Sequence, residues 1–289
     1  MTDCLPSLIG FIGKGGSGKS TLLLSTAAAL IETGTSVVIA DLDPANGSTA
    51  RWPELRRHAV ESGRTDLVDV SVVAQAPYEG AADTLNRAIA LAATLSVSQS
   101  EALGAPSPGK ELLGRTQNQV GKASEPKRIE TEAAMELSPS APPLILVDLP
   151  GGDGSRLDGS ILERLDAAIL PVEATAMAVG ATRRLVRTYG GAGNPRLRLV
   201  VNRWRHERRR SEAVAALGEG CLAHVAVRDY VMHQDAYMRG LGVTEAAPEH
   251  NASDDIRALA AEVRAVARVM RERGHELPRL GMSGRRSDA

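Results

Sequence analysis

Gly13-Lys14-Gly15-Gly16-Ser17-Gly18-Lys19-Ser20, followed by Thr21, is the stretch that decides the reading of this chain. It satisfies the phosphate-loop pattern G-x-x-x-x-G-K-[ST], in which glycines let backbone N–H groups turn toward anionic oxygens. Leu8-Ile9-Gly10-Phe11-Ile12, just before it, is an apolar run of the right length for a buried strand. Thr21 to Ile31, just after it, is rich in Ala and Leu and ends near Gly34, which reads as a helix. The N-terminus of that helix adds a dipole favourable to phosphate. Lys19 is expected to reach the β- and γ-phosphates, and Ser20 to place its hydroxyl on Mg²⁺. One lysine is enough to hold a nucleotide's own phosphates. The second, Lys14, points to a site completed by another subunit.

Two further stretches end in carboxylates. Ser36-Val37-Val38-Ile39-Ala40-Asp41-Leu42-Asp43-Pro44 reads as a strand that delivers Asp41 and Asp43 at the edge where parallel sheets bind ligands. Two residues apart on an extended chain, they face the same way, suited to holding Mg²⁺ through water or orienting an attacking water. Pro143-Leu144-Ile145-Leu146-Val147-Asp148-Leu149-Pro150-Gly151-Gly152 has the Walker B form. Its Asp148 is expected in the Mg²⁺ shell, and Gly151 and Gly152 suit a loop that responds to the γ-phosphate.

Outward from these motifs, strand-like and helix-like stretches alternate. The expectation is an α/β fold: a mainly parallel, twisted sheet with helices on both faces. Strands are expected at 69–73, 166–171, 196–201 and 222–227. Helices are expected at 52–60, 81–95 and through Tyr189. A long terminal helix is expected at 254–273, with Ile256, Leu259, Val263, Val266 and Val269 facing the core. Residues 1–275 read as one domain. Positions 96–140, rich in Ser, Pro, Gly, Gln and Glu, read as a disordered insertion, and the tail from 276–277 onward as disordered.

Composition narrows the function. Hydrophobic residues make up 43% of the 289 and aromatics only 2%, which argues against base stacking on single strands. With a net charge of −1, nucleic-acid binding needs a local patch. Cys4 and Cys221 are the only cysteines, which fits a reducing cytoplasm and argues against an iron–sulfur cluster. The histidines lack metal-ligand spacing. Neither a signal peptide nor a membrane span is expected.

The three motifs resemble those of the ParA/MinD family of P-loop ATPases, the deviant Walker group. Its motif K-G-G-x-G-K-[ST]-[ST] matches Lys14 to Thr21, and its D-x-D-P matches Asp41 to Pro44. Leu197 to Arg203 resembles the family strand ending in an adenine-contacting asparagine, here Asn202. Val227-Arg228-Asp229, with Ala236 and Gly240 to Glu245, resembles the late segment that contains an arginine, here Arg228. The resemblance implies a P-loop NTPase fold with ATP and Mg²⁺ as cofactors. Gly13, Lys14, Gly15, Gly16, Ser17, Gly18, Lys19, Ser20, Thr21, Asn202 and Arg228 would bind nucleotide. Ser20, Asp41 and Asp148 would serve the metal. Lys14, Lys19 and Asp43 would be catalytic, with Lys14 crossing a dimer interface to the partner's nucleotide. The family's usual glutamine after D-P is absent. Ala45 stands there, with Asn46 next to it.

Between Arg183 and Arg210 lie ten arginines and a single acid, Glu207. Such a stretch suits sequence-independent contact with a DNA backbone, for which Arg203, Arg205, Arg208, Arg209 and Arg210 are the candidates. The resemblance then implies an ATP-dependent homodimer on nonspecific double-stranded DNA. It would be cytoplasmic and nucleoid-associated, reset by a ParB-like or other stimulating protein, and would partition DNA or another large cargo. Trp52 after Ser48 to Arg51 resembles small plasmid-partition and T-DNA-transfer ATPases. The phosphate-loop strand starts near residue 7, so an N-terminal helix-turn-helix for operator binding is not expected. Two alternatives remain open. One is a metabolic enzyme of the dethiobiotin-synthetase or cobyrinate-amidation type, against which Lys14 speaks. The other is a MinD-like membrane-cycling regulator, against which the lack of a basic amphipathic tail speaks.

Overall fold

A computed structural model describes residues 5–104, 142–152, 158–191, 193–218 and 222–280. The strands are β1 (Ser7–Phe11), β2 (Val37–Asp41), β3 (Ser71–Ala74), β4 (Leu144–Asp148), β5 (Ala167–Glu173), β6 (Leu197–Trp204) and β7 (Leu222–Arg228). They form one seven-stranded sheet in the order β3-β2-β4-β1-β5-β6-β7. Every neighbouring pair is parallel. Parallel sheets are buried on both faces, and so β1, β2 and β4 read as continuous apolar runs with no polar alternation.

The helices are α1 (Lys19–Glu32), α2 (Ser48–Glu61), α3 (Ala81–Gly104), α4 (Gly159–Arg164), α5 (Ala176–Thr188), α6 (Glu207–Leu217), α7 (Met232–Met238), α8 (Val243–Ala246) and α9 (Asn251–Arg273). They divide into two layers, and the strands divide their side chains accordingly. Leu8, Ile145 and Val147 join the core shared with α3, α4, α5 and α6. Ile9, Phe11, Leu144 and Leu146 join the core shared with α1, α2, α7 and α9. This is the period-two alternation of an extended chain, with an apolar layer on each side. Among the described residues no helix is long and apolar enough to cross a membrane.

Three expectations change. The stripe on α9 runs Ile256, Leu259, Val263, Val266, Met270, whereas Val269 is 38% exposed. A step of four residues from Val266 keeps to the buried face, and a step of three leaves it. Helix α3 continues to Gly104, into the segment expected to be disordered from residue 96. Residues 105–140 of that segment lie outside the described residues. The tail, expected to be loose from Leu277, is anchored at its start. Leu280 is fully buried. The buried Arg196 guanidinium donates to the carbonyls of Asp166, Gly274, Leu277 and Pro278. Arg196 counted toward the basic stretch in sequence, but its donors are spent on backbone.

Candidate functional site

Strand register brings the carboxylates together. Phe11 and Asp41 both stand level with Asp148, so both acids leave the sheet beside the loop that follows β1. Asp41, Asp43 and Asp148 are all buried. The two Asp41 oxygens accept from the backbone N–H groups of Asp43 (3.0 Å) and Ala50 (2.9 Å). Asp41 thereby folds the turn into α2. Burial pushes its carboxyl up to about 6 against those two hydrogen bonds, and nearby Asp148 adds to the rise. Asn46 Nδ2 donates to Asp43 Oδ2 at 2.5 Å, so Asn46 holds the acid after which the family's glutamine is missing.

Thr49 holds one oxygen of Asp148. Its Oδ2 accepts from Thr49 Oγ1 at 2.6 Å. Its Oδ1 is buried with no hydrogen-bond partner among the described residues. Burial raises its pKa, while the hydroxyls of Thr49 and Ser20 and the charge of Lys19 oppose the rise. An unpartnered buried carboxylate oxygen close to a serine hydroxyl is a donor set that fits a hard divalent cation.

The loop itself depends on left-handed glycines. Gly18 has φ +92, and a Cβ on it would lie 2.6 Å from Asn202 Nδ2. Gly18 also precedes α1, and no side chain caps that helix. Among the described residues its first N–H groups therefore have no side-chain acceptor, as an anion site needs. Lys19 is buried and its Nζ lies 3.5 Å from Lys14 O. Burial lowers its pKa, while Asp148 and Asp43 pull the other way. The loop after β4 lies directly over this assembly. A Cβ at Gly151 would sit 2.9 Å from Lys19 Nζ and 3.0 Å from Gly15 Cα. A larger residue there would displace the Lys19 ammonium and crowd the Gly15 backbone. Gly152 N–H donates to Gly13 O at 3.3 Å.

Lys14 differs from Lys19, since its side chain is exposed. It lines a cleft of about 370 Å³ on the β5 side of the loop, together with Gly16, Ser17, Glu173, Met177 and Arg203. A larger cleft, of about 570 Å³, lies among Leu8, Glu163, Arg164 and Arg279 and includes no phosphate-loop residue.

The remaining expected residues are placed variously. Asn202 is buried, and its Nδ2 donates to Ser17 O at 2.8 Å. Arg228 forms a two-pronged pair with Asp255 on α9 (2.9 and 2.7 Å), so its guanidinium ties β7 to α9. Arg203 turns onto the phosphate loop, donating to Gly16 O at 2.9 Å and to Glu173 Oε1 at 3.0 Å. Arg205 pairs with Asp229, Arg208 with Glu212 and Arg210 with Glu207. Arg210 also lies over the Trp204 ring. Arg209 is exposed and has no acidic partner among the described residues. Thr49, Glu173 and the loop contact of Arg203 carry no motif in the sequence. Their partners are far along the chain, 99 residues away for Thr49.

Residues 11–240 match the CobQ/CobB/MinD/ParA nucleotide-binding domain. The fold also superimposes on solved structures. The ParA family ATPase of Chlorobium tepidum matches with a TM-score of 0.53 and 13% identity, over 88% of this chain and 98% of that one. MinD in the Aquifex aeolicus MinC:MinD cell division complex matches with a TM-score of 0.58 and 16% identity, over 90% and 96%. The septum site-determining protein MinD of Pyrococcus horikoshii, solved with Mg-ADP, matches with a TM-score of 0.53 and 16% identity, over 92% and 99%. At these identities the superpositions speak to the fold alone.

Proposed function

The chain belongs to the CobQ/CobB/MinD/ParA family of nucleotide-binding domains, and from that premise we propose that it is a Mg²⁺-dependent ATPase that dimerises on ATP, binds DNA without sequence preference and positions a large cargo. The observation that carries this reading is the division between the two loop lysines. Lys19 is buried beside Asp43 and Asp148, whereas Lys14 is exposed at the mouth of the same loop. In this reading Lys19 holds the chain's own phosphates and Lys14 neutralises charge on the partner subunit's nucleotide. Ser20 and Asp148 hold the metal, and Asp41 orders the turn behind them. A bound Mg²⁺ would draw charge from the β- and γ-phosphate oxygens. Asp43, steadied by Asn46, orients the attacking water.

The DNA surface in this reading is built from α5 and α6, which pack side by side. Arg183 and Arg184 are exposed on α5, and Arg208 and Arg209 on α6. Exposed ion pairs such as Arg208–Glu212 are weak, so these arginines can exchange an acid for a phosphate. The chain acts as one ATPase domain interrupted between α3 and β4. A ParB-like or other protein stimulates hydrolysis and releases the DNA, and the bound dimer resides on the nucleoid.

Sedimentation with and without ATP tests the proposal. The natural chain is expected to pass from monomer to dimer, and Lys14→Ala to stay monomeric while still binding nucleotide. A Lys14→Ala protein that dimerises normally would remove the cross-subunit role. A natural chain that ignores ATP would remove the whole reading.

A further inference from the structure

Asn202 and Arg203 are consecutive residues at the end of β6, yet both side chains reach the same loop. Asn202 Nδ2 donates to Ser17 O at 2.8 Å, and Arg203 Nη1 donates to Gly16 O at 2.9 Å. On a regular strand, neighbouring side chains point to opposite faces, and one of the two would point away. The backbone shows how this is avoided. Arg203 has φ +53 and is the only non-glycine with positive φ among the described residues. The β6–β7 ladder shifts register at the same place, between Asn202 and Trp204. A left-handed residue within a strand is uncommon for a side chain of this size and persists where surrounding contacts enforce it.

We propose that Arg203 is a positioning residue for the phosphate loop: the bulge turns it beside Asn202 so that the pair grips two successive loop carbonyls. In a trans peptide the C=O and the following N–H point in opposite directions. Drawing Ser17 O toward β6 therefore aims Gly18 N–H the other way, toward the side where phosphate binds. Drawing Gly16 O the same way steadies Ser17 N–H, which donates to Lys14 O at 3.3 Å. The same Nη1 also donates to Glu173 Oε1 at 3.0 Å. Through it the loop is tied to the end of β5, just before α5. The contact also removes Arg203 from the set of arginines facing DNA. The inference rests on the nucleotide-binding reading and adds a residue to it.

Direct titration of the full chain with ADP and with ATP tests the clamp, with binding to random duplex DNA followed in parallel. Arg203→Ala is expected to weaken both nucleotides by about tenfold, the loss of one charge-assisted hydrogen bond, and to leave the salt dependence of DNA binding unchanged. Arg203→Lys, which keeps a donor, is expected to recover part of the affinity. Arg203→Gly accepts the left-handed backbone without strain but has no guanidinium, so it should bind as weakly as Arg203→Ala. Natural affinity in Arg203→Ala, or in Arg203→Gly, would overturn the proposal. A flattened DNA salt slope with intact nucleotide binding would return Arg203 to the DNA surface. Failure of the natural chain to bind either nucleotide would sink the underlying reading instead, so the two failures are distinct.

Discussion

Thr49, at the start of α2, donates its hydroxyl to Asp148 Oδ2 at the end of β4 across 2.6 Å, in a site where both residues are buried. The bond occupies Asp148 Oδ2, while Oδ1 is buried with no hydrogen-bond partner among the described residues. Thr49→Val keeps the shape and removes the donor. Loss of a hydrogen bond to a buried acid should lower stability by about 1.5–3 kcal/mol, and Thr49→Ser should restore most of it. Urea denaturation of the three proteins gives the comparison. A valine variant as stable as the natural chain would show that the bond contributes nothing.

Arg56 and Glu245 form a buried two-pronged pair at 2.6 and 2.9 Å, with Arg56 also donating to Val68 O and Gly240 O. Removing one partner strands the other charge, so Glu245→Leu should cost about 3–5 kcal/mol. Replacing both, as in Arg56→Met with Glu245→Leu, removes the stranded charge and should be less damaging than the single change. A double variant no more stable than the single one would contradict this account.

Arg208, Arg209 and Arg210 stand on the first turn of α6, two of them in exposed acid pairs. Changing all three to Ala should weaken binding to random duplex DNA and reduce the salt slope. Each lost phosphate contact removes about 0.9 from the slope of log K against log salt. Because Glu212 and Glu207 compete with phosphate, the reduction should fall below that of three full contacts. Fluorescence anisotropy at several salt concentrations measures it, and an unaltered slope would place the DNA surface on other residues.

His233 is buried with neither ring nitrogen partnered among the described residues. Burial lowers its pKa, and Arg203 and His250 add to the fall, while Asp255 and Asp229 pull upward. Below the ordinary histidine range the unfolded chain takes up the proton first, so the contribution of His233 to stability falls as pH drops through about 6.5. One such group gives a slope of at most about 1.4 kcal/mol per pH unit. His233→Leu cannot take up the proton and should lose less stability between pH 7 and pH 5. Equal losses in the two proteins would assign the acid sensitivity elsewhere.

The phosphate loop, the strand before it and the helix after it were legible from local order, since glycine spacing and apolar runs are properties of consecutive residues. Asp41 and Asp148 were legible for the same reason: each ends an apolar run, with Asp43 two residues beyond the first, and strand ends define one edge of a parallel sheet. The α9 stripe was read correctly at four positions and missed at Val269, where two nearly equivalent helical spacings compete and packing chooses between them.

What the sequence determined alone was the α/β architecture and the identity of the loop that turns its amides outward. Tertiary structure decided which side chains serve that loop. A run of arginines looks uniform in sequence, because charge is written in the residue while direction is not. Folded, Arg196 holds the tail, Arg203 turns onto Gly16 O, and Arg208 and Arg210 lie along α6 with acids. Thr49 meets Asp148 only because β2 and β4 are neighbours in the sheet although far apart in the chain. Sequence periodicity encodes which face a residue occupies, but hydrogen-bond partners follow from strand order, and strand order is a property of the whole folded chain.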